Sequence, residues 1–529
     1  MNLWELVLAL ELLLGREREI IMGNRDERDR QYIAERRDRR RRKRRRALIC
    51  KTVILLVLLV ILAVCLIVVI KGGKEDKEPE NTINPTENPV DGEASEEAIG
   101  GESGSDDTDV PAASGDAASV MVQAERMAAG YDYDGAIELL QTIPGYDNDE
   151  AVVSAIADYQ AKKNACVAVN VDTVPHIFYH SLINDTDRAF NVSVLGQSTV
   201  DGLNAWMTTV EEFDKITQQM YDNGYVFVRL RDLVVETTDE QGNVHFEKNT
   251  NLLLPPDKKP VVLSIDDLSY YHSPYEAAGY PNKLVLDENG NVKCEYTDAS
   301  GNTTIGDYDV VPRLNSFLEA HPDGAYKGAR GLIAMTGYNG VFGYRTDVAY
   351  KTGVDLDPDQ KAWLDKHPDF NWDSEVAEAT KIADAIKKSG WEFASHTWGH
   401  LSVTNKTAAE LAVDNEKWVN TVENIVGDVD TIIFAHGNDI GDWRDYSADN
   451  EKYNYYKSAG YNFFCNVDGS TPYWVQIRGD YVRQGRINLD GFMLYRSTQG
   501  ETDVLNGMFN ASEVFDSRRP TPVTANGKA

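Results

Sequence analysis

An apolar stretch that runs into two adjacent carboxylates constrains this chain more than any other part of it. Residues 261–265 read Val-Val-Leu-Ser-Ile, and Asp266 and Asp267 follow directly. A nearly continuous apolar run of this length is typical of a strand buried on both faces. Neighbouring carboxylates repel each other, so a fold retains them more readily where a cation or proton chemistry relieves the repulsion. The stretch predicts a cation-binding or proton-transfer site at a strand's carboxyl end.

Two histidines further along the chain offer more ligands for such a cation. His396 and His400 are four residues apart, which brings both imidazoles to one side of a helical turn. One carboxylate and two imidazoles leave a position for water, as in catalytic zinc sites. The alternative is that the carboxylates cap a helix or turn and that the histidines are satisfied core residues. A zinc-protease helix is rejected, because it needs Glu where this chain has Thr397.

Both motifs resemble those of one protein family. Residues 264–267, Ser-Ile-Asp-Asp, resemble the Thr-Phe-Asp-Asp motif of the polysaccharide deacetylases (NodB homology, carbohydrate esterase family 4), and residues 396–400 look like their His-Ser/Thr-x-x-His motif. Residues 174–181 and 211–233 resemble the branch that includes biofilm poly-N-acetylglucosamine deacetylases. The resemblance covers roughly residues 172 to 500 and implies a distorted (β/α) barrel. Alternating strand-like and helix-like segments after Asp172 also favour an α/β architecture.

The resemblance also implies which residues bind a metal and which residue acts as the general base. Asp267, His396 and His400 would hold a divalent metal, and Asp266 would be the general base. A metal lowers the pKa of a bound water towards about 7, so that a carboxylate can take its proton. The mixed nitrogen and oxygen ligands favour Zn2+ without excluding Co2+, Ni2+ or Mn2+.

The general acid is expected from the start of the domain. Most of the family uses a C-terminal Leu-x-His motif, but no histidine of this chain lies beyond His436. In the biofilm-deacetylase branch the acid histidine comes from the opening strand, and His180 matches that position. The alternative is a strand-end histidine whose ring is satisfied by the backbone.

Several positions depart from the family pattern or surround the predicted site. Leu268 stands where the family has Gly, and the loop 434–438 lacks the family's Pro. His436 in that loop would line the substrate pocket or occupy a turn, and Trp398 is a further pocket or orienting candidate. Arg486 would orient Asp266 by a charge-assisted hydrogen bond or form a structural salt bridge.

The N-terminal part predicts a membrane anchor. Residues 52–70 form an uncharged apolar run after a basic segment, long enough to span a hydrocarbon core of about 30 Å. The positive side should stay in the cytoplasm, which places the C-terminal domain outside the cell. A cleaved signal peptide is the alternative, but no small-x-small cleavage site follows closely. Because residues 15–19 would be encoded largely by purines, as a ribosome-binding site is, we expect translation to start at Met22. The alternative is that residues 1–21 form a genuine amphipathic N-terminal helix.

The sequence thus divides into segments of different composition. We expect a basic cytoplasmic segment (1–51), a transmembrane helix (52–70), a disordered acidic linker (71–116), a tetratricopeptide-like helical region (117–168), a deacetylase domain (172–510) with an insertion at about 268–390, and a tail (511–529).

The net charge narrows the possible partners, and the cysteine count limits the possible disulfide bonds. The net charge is −32, although residues 1–51 carry 16 Lys and Arg against nine Asp and Glu. So acidic a body is expected to repel nucleic acid and anionic polymers, which favours a neutral or cationic partner. Of the five cysteines, two lie in or beside the apolar run, and the other three cannot all pair.

The sequence therefore predicts a membrane-anchored, extracytoplasmic, metal-dependent enzyme that removes N-acetyl groups from an envelope glycan, either peptidoglycan or a poly-N-acetylglucosamine-type polymer. The alternative is a catalytically silent glycan-binding or scaffold protein on the same fold. An intact base and ligand set argues against a pure binder, while the departures at Leu268 and in the loop 434–438 argue for one.

Overall fold

The computed structural model of the protein describes residues 117–272 and 274–525. The predicted cytoplasmic segment, transmembrane helix and acidic linker lie outside the described residues. Within the described ranges, no helix combines the length and the apolar character needed to cross a bilayer.

Seven parallel strands close into a barrel in this part of the chain, which confirms the predicted (β/α) barrel. Each strand pairs with the next one along the chain, and the seventh pairs with the first. The barrel strands are β1 (His176–Tyr179), β2 (Lys259–Asp266), β3 (Leu332–Met335), β4 (Glu392–Ser395), β5 (Thr431–Ile433), β6 (Phe463–Val467) and β7 (Val482–Asn488). Their carboxyl ends lie at one end of the barrel because all seven run in the same direction.

Helices connect and surround these strands. Those of eight or more residues in the described ranges are α1 (Ala117–Ala129), α2 (Tyr133–Leu140), α3 (Glu150–Ala165), α4 (Gln197–Trp206), α5 (Val210–Asp222), α6 (Val310–Ala320), α7 (Pro358–Lys366), α8 (Trp372–Lys388), α9 (Ala408–Trp418), α10 (Glu451–Ser458) and α11 (Gly491–Thr498). The apolar faces of α5, α6 and α8 pack in one core cluster with the outward-facing side chains of the barrel.

Strand β2 shows why an apolar run can end in a site. Val261, Leu263 and Ile265 join the outer cluster beneath the helices, whereas Val262 joins the cluster inside the barrel. Alternation along a strand therefore places Ser264 and Asp266 on the inner face. Because both faces are buried, the sequence reads as apolar even though its inner face becomes polar towards the carboxyl end.

Short strands complete the domain. Tyr225–Phe227 pairs with the first half of β2, and Val475–Ile477 pairs antiparallel with β7. The segment 268–390, treated as an insertion from the sequence, contains barrel strand β3 and helices α6 to α8. It also contains an antiparallel sheet of Lys283–Leu286, Val292–Thr297 and Thr303–Gly306, in which the first two strands form a hairpin. Only part of this segment therefore lies outside the barrel.

The regions at the two borders of the predicted domain pack against the barrel. The cluster of α1, α2 and α3 includes Val226 and Leu254, and the Tyr131 hydroxyl donates a hydrogen bond to the Asp323 carbonyl at 2.7 Å. The described part of the predicted tail is likewise integrated, because buried Arg519 forms a bidentate ion pair with buried Glu212 of α5.

Candidate metal centre and active site

The inner carboxylate at the end of β2 is fixed by an arginine from β7. Arg486 Nη1 donates to Asp266 Oδ1 at 2.8 Å, and Nη2 donates to Oδ2 at 3.0 Å. Both side chains are buried. Burial opposes ionisation of Asp266, but the charge of Arg486 outweighs it and holds the pKa of this carboxyl well below its usual range. Asp266 is therefore an ionised carboxylate in one fixed orientation.

Asp267 leaves the strand in a left-handed conformation with φ of 58°. This uncommon backbone angle turns its side chain away from the direction that strand alternation would give it. The Tyr271 hydroxyl donates to Oδ1 at 2.8 Å, and Oδ2 lies 3.4 Å from His400 Nε2. Burial opposes ionisation here too, yet the nearby imidazoles, His400 foremost, keep the pKa of Asp267 below its usual value.

His396 follows β4 directly and is oriented by the backbone of β5. Its Nδ1 lies 2.8 Å from the Ile433 carbonyl oxygen, so Nδ1 carries the proton and donates it. Nε2 then has a free lone pair, and it lies 3.8 Å from Asp266 Oδ2. Burial lowers the pKa of His396 to about 4, so the ring is neutral at physiological pH. A neutral imidazole with a fixed tautomer is the form that binds metals.

His400 reaches the same point through a loop, which corrects the predicted helical turn. Thr397 and His400 are left-handed, with φ of 65° and 51°. The carboxylate of Asp414 on α9 accepts the backbone N–H groups of Trp398 and Gly399 at 2.7 and 2.8 Å. These bonds replace the partners that a helix would supply. The rings of His396 and His400 nevertheless meet, with centroids 5.0 Å apart.

The structure thus brings together the three residues expected to hold a metal. Ligand atoms of Asp267, His396 and His400 all lie within 4.8 Å of one another. The set fits a divalent cation on two grounds: His396 presents an unprotonated nitrogen, and Tyr271 fixes the carboxylate of Asp267 from behind. One carboxylate and two imidazoles satisfy zinc but also suit other divalent metals.

The expected general acid lies beside this cluster. His180 follows β1 and is half-buried, and its ring packs edge-on to Phe178 at 5.8 Å. Its ring is close enough to interact electrostatically with the carboxylates of Asp266, Asp267 and Asp490. The structure therefore places His180 among three carboxylates, while its role as acid stays a prediction.

The remaining pocket candidates also lie around the cluster. His436 is left-handed and exposed, and its Nε2 donates to the His400 carbonyl at 3.0 Å. The Trp398 ring N–H donates to Asp347 at 3.0 Å, and Lys417 lies over the ring at 4.0 Å. Leu268 is fully buried in the outer core cluster, so its departure from the family's Gly fills core space.

Two residues of the site lack a strong sequence signal. Tyr271 is one of many tyrosines in the segment after β2, and its ring stacks on that of Tyr338 with centroids 5.0 Å apart. Its spacing of four residues from Asp267 was the available hint. Asp414, which shapes the histidine loop, has no local signal because it lies on the following helix.

The fold and the site together define a class of protein: a seven-stranded parallel (β/α) barrel with a candidate metal centre of one carboxylate and two imidazoles at the carboxyl ends of its strands. No family model matches the chain, and no curated protein matches it. A solved structure of the Streptococcus pyogenes deacetylase PplD in complex with acetate is similar over 60% of this chain and 92% of that chain, with 11% sequence identity and a TM-score of 0.29. A likeness this weak supports no conclusion about the chain.

Proposed function

We propose that the protein is a metal-dependent deacetylase that removes N-acetyl groups from an envelope glycan. The observation that carries this proposal is the convergence of Asp267, His396 and His400 within 4.8 Å, beside an Asp266 carboxylate held by Arg486. A buried carboxylate that is fixed, ionised and adjacent to a three-donor site has the placement of a general base.

Asp266 and Arg486 would act as a unit. The guanidinium keeps Asp266 ionised and fixes both of its oxygens, so that a water molecule between Asp266 and the donor cluster would meet the carboxylate in one orientation. A carboxylate with so low a pKa is a weak base. A cation in the site would compensate for this weakness, because it would polarise the acetamide carbonyl and make a water molecule more acidic.

His180 would donate the proton that the leaving amine needs. Asp266 and His180 would thus divide base and acid roles between the ends of β2 and β1, which are paired neighbours in the barrel.

The substrate and location follow from the sequence. The motifs at residues 264–267 and 396–400 resemble those of polysaccharide deacetylases, which act on N-acetylated sugars. The apolar segment 52–70 would anchor the protein in the membrane with its N-terminus in the cytoplasm and its barrel outside. Peptidoglycan and poly-N-acetylglucosamine-type polymers are the two candidate substrates.

Acetate release from N-acetylglucosamine oligomers and from peptidoglycan tests the activity of the full-length protein. We expect release that stops with a chelator and returns when Zn2+, Co2+, Ni2+ or Mn2+ is restored. If folded, metal-loaded protein releases no acetate from either glycan, the alternative of a catalytically silent glycan-binding or scaffold protein replaces the deacetylase.

Metal binding is tested separately from turnover. Zinc at about a hundredfold excess over its dissociation constant should raise the free energy of unfolding by about 2.7 kcal/mol. The Asp267→Asn variant should lose most of this gain, whereas Asp369→Asn, an exposed site with the same chemical change, should keep it. Equal stabilisation of both variants would show that the metal binds elsewhere.

A further inference from the structure

A large cleft lies at the opposite end of the barrel from the candidate metal centre. It has a volume of about 1050 Å³ and is bordered by α1, the ends of α6 and α8, the turn of the hairpin near Asn289, and the loops that precede β3 and β4. Because β3 and β4 begin here and end near the metal centre, the two sites are separated by the length of the barrel.

The charge of this cleft is opposite to that of the protein. Among the described residues that line it, seven are Lys or Arg and two are acidic. Both acidic residues are already paired, Asp132 with Lys327 at 2.9 Å and Glu319 with Arg126. Lys293 and Lys387 pair with Asp307 and Asp384, which do not line the cleft, so that Arg330 and Lys388 are the two lining cations with no carboxylate partner among the described residues. A local excess of positive charge on a chain with a net charge of −32 is unusual enough to need a physical reason.

Arg330 differs from an ordinary surface cation because its side chain is buried. It is only 8% exposed, and its Nε and Nη1 donate to neutral acceptors, namely Asn315 and the carbonyls of Gly328 and Ala329. Within the described ranges, no carboxylate pairs with it and its Nη2 donates no hydrogen bond. Burial, together with the nearby charge of Arg126, lowers the pKa of Arg330 to about 10, so it stays charged at neutral pH.

The carboxylate that acts on Arg330, Glu319, is already held by both terminal nitrogens of Arg126. A buried charge that has no counter-charge of its own is unfavourable, so a fold that retains one in an open cleft indicates a missing anion. Lys387 and Lys388 carry less weight, because cations at the end of a helix such as α8 also balance its dipole. Arg229 adds to the excess from another side, since it donates to the Lys327 carbonyl and lies 3.9 Å from its nearest carboxylate, Asp232.

We propose that this cleft binds a polyanion with repeated phosphate groups. Cations reach it from α1, α8, the hairpin and the loop before β3. A tetrahedral phosphate can accept hydrogen bonds from several sides, whereas a planar carboxylate is matched by one guanidinium. A cavity of this volume exceeds what a single inorganic phosphate fills, which favours a chain over a small ion. The proposal does not depend on the deacetylase activity.

Calorimetric titration of the full-length protein tests the proposal, with tripolyphosphate and a poly(glycerol phosphate) chain as phosphate probes and polygalacturonate as the carboxylate probe. We expect both phosphate probes to bind, more weakly at high salt, and polygalacturonate to bind at least about tenfold more weakly. Arg330→Gln should weaken phosphate binding about tenfold, because it removes charge-assisted hydrogen bonds, while Arg330→Lys retains the charge and most of the affinity.

Matched variants keep the test decisive if Arg330→Gln destabilises the fold. Lys388→Gln, at the cleft, should weaken binding, whereas Lys381→Gln, an exposed residue of the same helix, should bind like the unaltered protein. Any acetate release should be equal in all these variants, because none touches the metal centre. Absent phosphate binding, equal binding of polygalacturonate, or equal effects of the two lysine variants would overturn the proposal.

Discussion

The two ends of this barrel treat buried charge in opposite ways. At the carboxyl ends of the strands, Asp266 faces Arg486 and Asp267 faces His400, so each buried carboxylate has an opposite or potentially opposite charge beside it. At the amino ends, Arg330 is buried with only neutral hydrogen-bond acceptors among the described residues. The comparison teaches that the buried carboxylates find their partners within the chain, whereas buried Arg330 is hydrogen-bonded only to neutral acceptors, which is the basis for the proposed anion.

Among the described residues other than Gly, positive φ angles are more numerous at the candidate metal centre than at the cleft, where Lys327 has a φ of 49°. Asp267, Thr397, His400 and His436 all have positive φ, and all four belong to the candidate metal centre or its border. Such conformations are unfavourable for residues other than Gly and persist where the surrounding structure enforces them. Hydrogen bonds from Tyr271 and to Asp414 supply that enforcement here. Strain of this kind supports a precise arrangement of ligands.

The largest effect should come from Asp266→Asn. The amide keeps the shape of the carboxylate but cannot take a proton, so acetate release should fall about a thousandfold or more. Zinc should still bind, because Asp266 is not among the three predicted ligands. Acetate assays combined with zinc titration measure both quantities, and Asp369→Asn serves as the control. Undiminished turnover in Asp266→Asn would remove this residue from the mechanism.

Replacing Leu268 by the family's Gly should destabilise the protein rather than improve it. Leu268 is fully buried, so its loss leaves a cavity that should lower the free energy of unfolding by about 3–4 kcal/mol. Denaturant unfolding measures this, with Val354→Gly at an exposed site as the control. A variant that is as stable as the original chain and releases acetate faster would show instead that Leu268 obstructs the site.

His272, a buried neutral histidine near the carboxyl ends of the barrel strands, should make the free energy of unfolding depend on pH. Burial, and then the charge of Arg345, lowers the pKa of His272 to about 3, while the unfolded chain has the ordinary value of about 6.5. Below pH 6.5 the unfolded state therefore takes up a proton that the folded state does not, and stability is lost as the pH falls towards 3. The expected loss from this residue at pH 4.5 is about 2–3 kcal/mol.

The His272→Gln variant isolates that contribution. It should lose about 2–3 kcal/mol less than the original chain between pH 7 and pH 4.5 in urea unfolding. The exposed His245→Gln variant should follow the original chain. Identical pH dependence in all three proteins would mean that His272 is protonated in the folded state.

The smallest effect should come from the exposed ion pair between α1 and α6. The side chains of Arg126 and Glu319 are 49% and 67% exposed, so Arg126→Gln should change the free energy of unfolding by less than about 1 kcal/mol. Tyr131→Phe removes a buried hydrogen bond at the same junction and should cost about 1 kcal/mol. A larger effect for Arg126→Gln would show that charge, rather than packing, joins the helices to the barrel.

Much of the site was predictable because its chemistry is encoded locally. The run 261–267 predicted both a buried strand and the carboxylates at its end, and the spacing of His396 and His400 predicted that their rings meet. The helical turn predicted for residues 396–400 was wrong. Asp414 on the next helix accepts hydrogen bonds from this loop, and no local pattern reveals them. Similarly, β3 was hidden within a segment of irregular composition, because a four-residue strand gives little periodic signal.

The sequence by itself determined the residue types of the site, the buried character of β2 and the α/β architecture, because these depend on composition and periodicity over a few residues. The tertiary structure decided which residues meet. Arg486 is 220 positions from Asp266, and Arg519 is 307 positions from Glu212. Such pairs form only when closure of the barrel brings distant elements together, and so does a cleft that gathers positive charge from helices and loops across the domain.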